Sequence, residues 1–164
     1  MKTAFSPAVD AETRLLVLGS LPGERSIAAQ EYYAHPTNGF WWLIGEVLGE
    51  RDLQLLPYAR RLERLKVHHV GLWDVIATAR RAGSLDTAIR DAAHRDLINF
   101  AEQLPQLKAI AFNGKAASSR GRKQLAGAID RWTIIDLPSS SAAYASMPRS
   151  KKLMVWQQVE KHLR

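Results

Sequence analysis

Four short apolar runs, separated by segments with helical patterning, constrain the fold of this chain more than any other feature. They cover residues 14–18 (RLLVL), 69–76 (HVGLWDVI), 109–112 (AIAF) and 132–135 (WTII). Short runs rich in branched apolar residues predict buried strands, and strands that alternate with helices predict a parallel sheet covered on both faces. We therefore predict a single α/β domain over residues 1–164, with three layers (α/β/α) and a central four-stranded parallel sheet.

The other segments are assigned from the spacing of their apolar residues. Helices are predicted over residues 39–48, 57–66, 88–104, 115–119, 123–128 and 149–164, whereas residues 77–86 are predicted to form a loop. In folds of this kind, ligands bind beyond the carboxyl ends of the strands. The unusual loops all follow strands, at residues 19–38, 74 onward, 113 onward and 137–147. The sequence therefore predicts one site at that edge of the sheet.

The residue composition restricts both the chemistry and the class of partner. The 164 residues include no cysteine, which excludes disulfides, thiolate zinc sites, cysteine nucleophiles and cysteine-ligated iron–sulfur clusters, and is typical of an intracellular protein. No run is long enough to span a membrane, and the start of the sequence carries no secretory signal pattern. The net charge of +7 favours a polyanionic partner such as nucleic acid, although a merely basic surface would give the same value.

The loop after the first predicted strand begins with a tight turn. Gly19 and Gly23 bracket Pro22 in this turn, which also contains Ser20 and Leu21. Glycine lets the backbone approach a ligand closely, and accessible backbone amides suit an anion or a flat ring. A plain connecting turn would have the same composition. The glycine spacing does not match a dinucleotide-binding fingerprint.

Residues 32–42 (YYAHPTNGFWW) place two tyrosines before a His-Pro corner, an asparagine and further aromatic residues. We interpret this segment as a pocket for a flat ring, in which one of the tyrosines stacks on a base, although aromatic residues usually only pack. The amide of Asn38 could hold a water for attack, or it could cap the following helix. Because no second histidine stands at metal-ligand spacing, no metal site is expected.

Asp74 is a polar residue near the end of the second predicted strand, where apolar residues are expected. A buried carboxylate needs hydrogen-bond partners, so it accepts hydrogen bonds either from loop amides or from a bound ligand. These two interpretations remain open from the residues alone.

The loop after the fourth predicted strand combines hydroxyl groups, basic residues and an apolar tip. Its hydroxyl and basic groups suit contacts to phosphate, although the serine run could be a plain turn. An apolar tip beside phosphate contacts is what a protein needs to push a nucleotide out of a duplex. The residues concerned are Ser139, Ser140, Ser141, Tyr144, Met147, Arg149, Lys151 and Lys152.

Taken together, these segments resemble the uracil-DNA glycosylase superfamily, and most closely its hypoxanthine-DNA (deoxyinosine) glycosylase branch. The resemblance covers most of the chain and rests on residues 19–23 (GSLPG), 32–41 (YYAHPTNGFW), 112–115 (FNGK) and 137–141 (LPSSS). The His-Pro-x-Asn-x-Phe-Trp pattern is the most specific of these segments.

Two departures from the wider superfamily bear on the chemistry. Leu21 stands where most relatives carry an acidic or amide side chain, and Leu137 stands where most carry His or Asn. The hypoxanthine branch has this feature, and its catalytic asparagine lies in the His-Pro-x-Asn segment. The resemblance therefore implies Asn38 as the catalytic residue. It implies no metal and no cofactor, because the iron–sulfur branches need cysteine.

The resemblance implies a monofunctional glycosylase that acts on a deaminated base flipped out of duplex DNA, with no membrane partner. A monomer suits this chemistry. Asn38 would orient the attacking water, Tyr33 would stack on the base and Asp74 would read its polar edge. Further base contacts are assigned to Gly19, Ser20, Leu21, Pro22, Gly23 and Asn113, and DNA contacts to Ser139, Ser140, Ser141, Tyr144, Met147, Arg149 and Lys151.

Three alternatives remain open at this stage. The first is a glycosylase of the same fold for uracil, or for thymine in mismatches, against which Leu21 argues. The second is a non-catalytic DNA-binding protein, favoured by the absence of both usual catalytic side chains. The third is an enzyme for free nucleosides, against which the basic charge and the serine loop argue.

Overall fold

The structure is a computed structural model that describes residues 2–3, 5–81, 89–94 and 96–164. Its strands are β1 (Lys2–Thr3), β2 (Leu15–Gly19), β3 (Val70–Asp74), β4 (Ile76–Arg81), β5 (Ile89–His94), β6 (Ala109–Asn113) and β7 (Thr133–Leu137). Its α-helices are α1 (Glu24–Ala29), α2 (Phe40–Leu48), α3 (Tyr58–Val67), α4 (Leu97–Glu102), α5 (Lys115–Gln124) and α6 (Arg149–Trp156). Short 3₁₀ helices lie at Leu53–Leu55, Ile129–Arg131 and Gln157–His162.

Four strands form a parallel sheet at the centre of the protein, in the order β3-β2-β6-β7. All residues of β2, β3 and β6 are buried. Strands buried on both faces are expected to be continuous apolar runs, which explains the pattern in the sequence. In the register of the sheet, Gly19 lies beside Asp74, and Asn113 lies beside Leu137. The predicted four-stranded parallel sheet is confirmed, and its carboxyl ends share one edge.

Alternate side chains of β2 enter two apolar clusters, because successive residues of a strand point to opposite faces of the sheet. Leu15 and Val17 pack with residues of α2, α3 and α6, including the fully buried Phe40. Leu16 and Leu18 pack with residues of α4 and α5. The predicted three-layer arrangement is therefore confirmed.

A second sheet, formed by β1, β4 and β5, is antiparallel and was not predicted. The loop predicted over residues 77–86 is wrong for residues 77–81, which belong to β4, and its remainder lies outside the described residues. The helix predicted over residues 88–104 is wrong for Ile89–His94, which form β5. Helical propensity is a weak prior, and here the pairing of β5 with β4 overrides it.

The helix in this region begins only after Asp96. The carboxylate of Asp96 accepts a hydrogen bond from the backbone N–H of Asn99 at 3.1 Å, which caps α4.

Three other helical boundaries also differ from the predictions. The loop after β2 contains the short helix α1, and α5 is continuous up to Gln124. The last helix is α-helical only to Trp156 and continues as a 3₁₀ helix. Within the described part of the chain, each helix is too short or too polar to cross a membrane.

Candidate active site

The carboxyl edge of the parallel sheet brings together polar residues from distant parts of the sequence. Gly19, Asp74 and Asn113 are the last residues of β2, β3 and β6, and all three are buried. The backbone carbonyls of Gly19 and Ser20 accept hydrogen bonds from the N–H groups of Val75 (2.9 Å) and Ile76 (3.1 Å). These two bonds tie the turn after β2 to the segment after β3, and they hold the first two loops of the site together.

The missing side chain of Gly19 creates space for two oxygen atoms. A Cβ atom at this position would lie 2.7 Å from Asp74 Oδ1 and 3.0 Å from the hydroxyl oxygen of Tyr33. Glycine at this position therefore lets the carboxylate and the phenol approach the same point above the backbone. Asp74 is 3% exposed, so its carboxylate lies at the inner end of this space.

Tyr33 adopts a backbone conformation that non-glycine residues rarely use, with φ of 56°. Its ring stacks on Phe40, with 4.1 Å between the ring centroids and an angle of 24° between the planes. Phe40 is fully buried and packs edge-to-face against Trp41 and Trp156. One face of the Tyr33 ring is thus backed by a rigid aromatic cluster, and the side chain itself remains partly exposed.

A chain of hydrogen bonds links Asn38 to the interior of the protein. Asn38 Oδ1 accepts from the backbone N–H of Phe40 (3.0 Å) and from the hydroxyl of Ser140 (2.8 Å). The same hydroxyl accepts from Asn113 Nδ2 (2.9 Å), and Asn113 Oδ1 accepts from the backbone N–H of Ser140 (2.9 Å). Asn38 is therefore turned toward the carboxyl ends of β6 and β7, and Ser140 and Asn113 lie behind it.

The turn predicted at residues 19–23 lies at the base of the same edge. Ser20, Leu21 and Pro22 are buried, and Gly23 precedes the first turn of α1. Leu21 is 6% exposed and belongs to the apolar cluster under α4 and α5. Its packing explains an aliphatic residue at this position.

The serine loop after β7 is held by its own backbone and by a buried lysine. The hydroxyl oxygens of Ser139 and Ser141 accept from the backbone N–H groups of Ser141 and Ala143, each at 3.2 Å. Lys152, which is 6% exposed, donates from Nζ to the carbonyl of Ser141 at 3.1 Å. Burial lowers the pKa of Lys152 below its ordinary value. Its ammonium also lies 5.2 Å from the ring centre of Tyr144.

Some of the predicted DNA-binding residues are exposed, whereas others are already hydrogen-bonded within the protein. Tyr144 is 40% exposed, Lys151 is exposed, and Met147 is partly buried. The guanidinium of Arg149 stacks on Trp42 at 3.8 Å from the ring centre, which leaves its N–H edge available to a ligand. The hydroxyl of Ser140, by contrast, is 3% exposed and bonded to Asn38 and Asn113.

Two side chains at this edge were not identified as parts of the site from the sequence. Phe40 backs the ring of Tyr33, and Trp42 supports Arg149. The Phe-Trp-Trp run was visible in the sequence, but Arg149, which stacks on Trp42, lies far away along the chain. Lys152 was predicted to contact phosphate together with Arg149 and Lys151, but it is buried, and its Nζ supports the serine loop instead.

The parallel sheet has the order β3-β2-β6-β7, and its carboxyl edge carries the ring of Tyr33 stacked on Phe40 and the buried carboxylate of Asp74. These features define an α/β protein of the uracil-DNA glycosylase type. The comparison with known families agrees with this class. The chain belongs to the uracil DNA glycosylase superfamily, whose family model matches residues 6–163.

Two curated relatives from Methanosarcina species match nearly the whole chain, and both are named hypoxanthine DNA glycosylase. The protein of Methanosarcina barkeri is 41% identical over 150 residues, which cover 92% of this chain and 93% of the relative. The protein of Methanosarcina acetivorans is 37% identical over 162 residues, which cover 99% of each chain.

A solved structure supports the fold. The solution NMR structure of a candidate uracil DNA glycosylase from Methanosarcina acetivorans superimposes with a TM-score of 0.86 at 38% sequence identity. The match covers 99% of this chain and 98% of that chain. The family resemblance inferred from the sequence is therefore confirmed over almost the full length.

Proposed function

We propose that this protein is a monofunctional DNA glycosylase of base excision repair, which hydrolyses the N-glycosidic bond of hypoxanthine (deoxyinosine) in DNA. The observation that carries this proposal is the match to two relatives named hypoxanthine DNA glycosylase, which are 37% and 41% identical over nearly the whole chain. The enzyme acts as a monomer on a deaminated base flipped out of the duplex. It uses water and leaves an abasic site.

Recognition of the base is assigned to Tyr33 and Asp74. The flipped purine stacks on the exposed face of Tyr33, whose other face rests on Phe40. Hypoxanthine carries a proton on N1, and the carboxylate of Asp74 accepts a hydrogen bond from this N1–H group. Adenine has no proton on N1, so it would bring a second acceptor against the buried carboxylate, which is a strong basis for rejection. The turn at residues 19–23 lies beneath the base.

Catalysis is assigned to Asn38. Leu21 and Leu137 stand at the two positions where most members of the superfamily carry a polar side chain, and both are aliphatic. Both leucines are buried, and their side chains have no polar atom, so neither can hydrogen-bond to water or to the departing base. Breaking the glycosidic bond develops positive charge on the sugar and negative charge on the purine. A fixed polar group beside these charges lowers the barrier by electrostatic stabilisation and positioning.

Contacts to the DNA backbone are assigned to the serine loop and the start of α6. The hydroxyl hydrogens of Ser139 and Ser141 and the side chains of Arg149 and Lys151 are suitable donors to phosphate. Tyr144 and Met147 form the apolar tip that fills the space left by the flipped nucleotide.

A panel of duplex oligonucleotides containing inosine, xanthine, uracil or a thymine mismatch tests the proposed function directly. We expect alkali-labile sites at inosine, formed in a single turnover. Uracil or thymine as the main released base would instead identify a mismatch-type glycosylase. Tight binding of every duplex without cleavage would identify a non-catalytic DNA-binding protein, and release of the base from free inosine would identify a nucleoside hydrolase.

Replacing Arg149 with alanine is expected to weaken binding of all duplexes about equally, by roughly tenfold, and to reduce the salt dependence by about one phosphate contact. The reason is that its guanidinium is held flat on Trp42, which leaves its N–H edge available. Fluorescence anisotropy over a range of salt concentrations measures both quantities. Arg131 is a matched control, since it also lies over a tryptophan (Trp132, 5.0 Å) but precedes β7 at the opposite edge of the sheet. An equal loss in Arg131→Ala would contradict the assignment.

Replacing Gly19 with alanine is expected to displace Asp74 or Tyr33, because the added Cβ would lie 2.7 Å and 3.0 Å from their oxygens. Overpacking of this kind costs about 1–3 kcal/mol of stability, and we expect the excision rate of the folded enzyme to fall as well. Gly71→Ala is the control, because its Cβ would lie 2.7 Å from Val9 Cγ1 and 2.9 Å from Thr13 Cγ2, neither of which belongs to the site. Rates and unfolding free energies of both variants should show lost stability in each, but a lower rate only in Gly19→Ala.

A further inference from the structure

The hydrogen-bond chain behind Asn38 has a direction that its backbone donors determine. A backbone N–H can only donate, so the bond from the Phe40 N–H identifies the side-chain atom of Asn38 that it meets as the oxygen. The bond from the Ser140 N–H fixes the amide of Asn113 in the same way. Asn113 Nδ2 must then donate to the Ser140 hydroxyl oxygen, and the O–H of Ser140 must donate a hydrogen bond to Asn38 Oδ1.

The direction of these hydrogen bonds decides which side-chain atom of Asn38 is available to a ligand. Its Oδ1 has two lone pairs, and both are engaged, by the Phe40 N–H and by the Ser140 O–H. Among the described residues, no acceptor is recorded for its Nδ2. Asn38 is partly exposed, whereas Ser140 and Asn113 are 3% and 8% exposed. The amide therefore offers a hydrogen-bond donor toward the outside, and its acceptor atom is turned inward.

We infer that Asn113 and Ser140 are positioning residues, and that they make Asn38 act in the reaction as a hydrogen-bond donor to the departing purine. This inference rests on the proposed glycosylase function and deepens it. It differs from the role of orienting water that the family resemblance implies for Asn38. A water that must lose a proton is helped by an acceptor, and the acceptor atom of Asn38 is already engaged by Phe40 and Ser140.

The chemistry of the leaving group fits a donor. When the C1′–N9 bond breaks, its electron pair goes to the purine, which becomes negatively charged. The water oxygen bonds to C1′, one of its protons stays on the new sugar hydroxyl, and the other ends on the released base. A donor placed before the reaction stabilises the anion as it forms, without reorganisation. Hydrogen bonds to charged acceptors are roughly twice as strong as those between neutral groups.

The variant Asn38→Asp distinguishes a donor from an acceptor with little change of shape. One of its oxygens can still accept from Phe40 and Ser140, and the other replaces the donor by an acceptor. If Asn38 is a donor, single-turnover excision of hypoxanthine near neutral pH should fall as far as in Asn38→Ala. The rate should rise again as the pH falls through the carboxyl pKa, near about 4, because the protonated acid can donate. A variant as fast as the wild type near neutral pH would overturn the inference.

Coupling between Ser140 and Asn38 tests the positioning role. We expect Ser140→Ala to lower the single-turnover rate by roughly 10- to 100-fold, as for loss of one oriented group at a site. The same substitution in an Asn38→Ala background should cost almost nothing further, since there is no amide left to hold. Ser118→Ala, which removes a partly exposed serine bonded to Asp136, is the matched control and should leave the rate unchanged. Additive effects of the two site substitutions would overturn the positioning role.

These measurements separate the inference from the function on which it rests. If the wild-type protein does not release hypoxanthine from DNA, the proposed function fails. If the wild type releases it and Asn38→Asp is equally active, only the donor role fails.

Discussion

Alanine at position 38 is expected to lower the single-turnover rate of hypoxanthine excision by about two to four powers of ten, the range for loss of a group that stabilises charge at the reacting centre. The side chain is partly exposed at the carboxyl edge of the sheet, and its oxygen is anchored by Phe40 and Ser140. Rapid-quench assays with enzyme in excess over an inosine duplex measure this rate.

The affinity for DNA separates a catalytic Asn38 from a purely structural one. We expect Asn38→Ala to bind the inosine duplex nearly as tightly as the wild type, because the residues proposed to contact phosphate lie on another loop. Asn99→Ala is a suitable control, since Asn99 is exposed on α4. A large loss of binding or of unfolding free energy in Asn38→Ala would make this residue a cap of α2, through its bond to the Phe40 N–H.

The second large effect is expected for Asp74→Asn. The carboxylate is 3% exposed and shares the space above Gly19 with Tyr33. An amide oxygen accepts a hydrogen bond from the N1–H of hypoxanthine less strongly than a carboxylate does. The amide N–H can also donate a hydrogen bond to N1 of adenine, which carries no proton. We therefore expect the preference for inosine over adenosine to fall by about two powers of ten, less than the discrimination that a fully mismatched polar site can reach.

Excision of the two nucleosides from the same duplex context measures this preference. Asp136→Asn provides the matched control, because Asp136 is an exposed carboxylate on β7 that pairs with Arg122 and Ser118. The control should keep the preference of the wild type. An unchanged preference in Asp74→Asn would show that the carboxylate does not read the base and serves only to satisfy the loops around it.

The errors made from the sequence have a common physical cause. Residues 89–94 contain alanine and arginine, which favour helix locally, yet they pair with β4 as a strand. Ser140 resembles its neighbours Ser139 and Ser141 in the sequence, yet its hydroxyl is the one bonded to Asn38 and Asn113. In both cases the deciding partner is a segment that local pattern does not reveal. The burial of Lys152 beneath the serine loop is a third example.

The sequence by itself determined the parallel sheet, the edge at which its unusual loops meet, and the family. Buried strands and their glycine-rich ends are local features, because they follow from residue type and spacing along a few positions. Only the tertiary structure decided that Gly19 leaves room for Asp74 and Tyr33, and that the oxygen of Asn38 faces inward. Hydrogen-bond direction and close approach depend on atoms that are brought together from distant positions, such as Asn38 and Ser140, which are 102 residues apart. No periodicity in the chain encodes those contacts, so they become visible only when the loops are placed on the sheet.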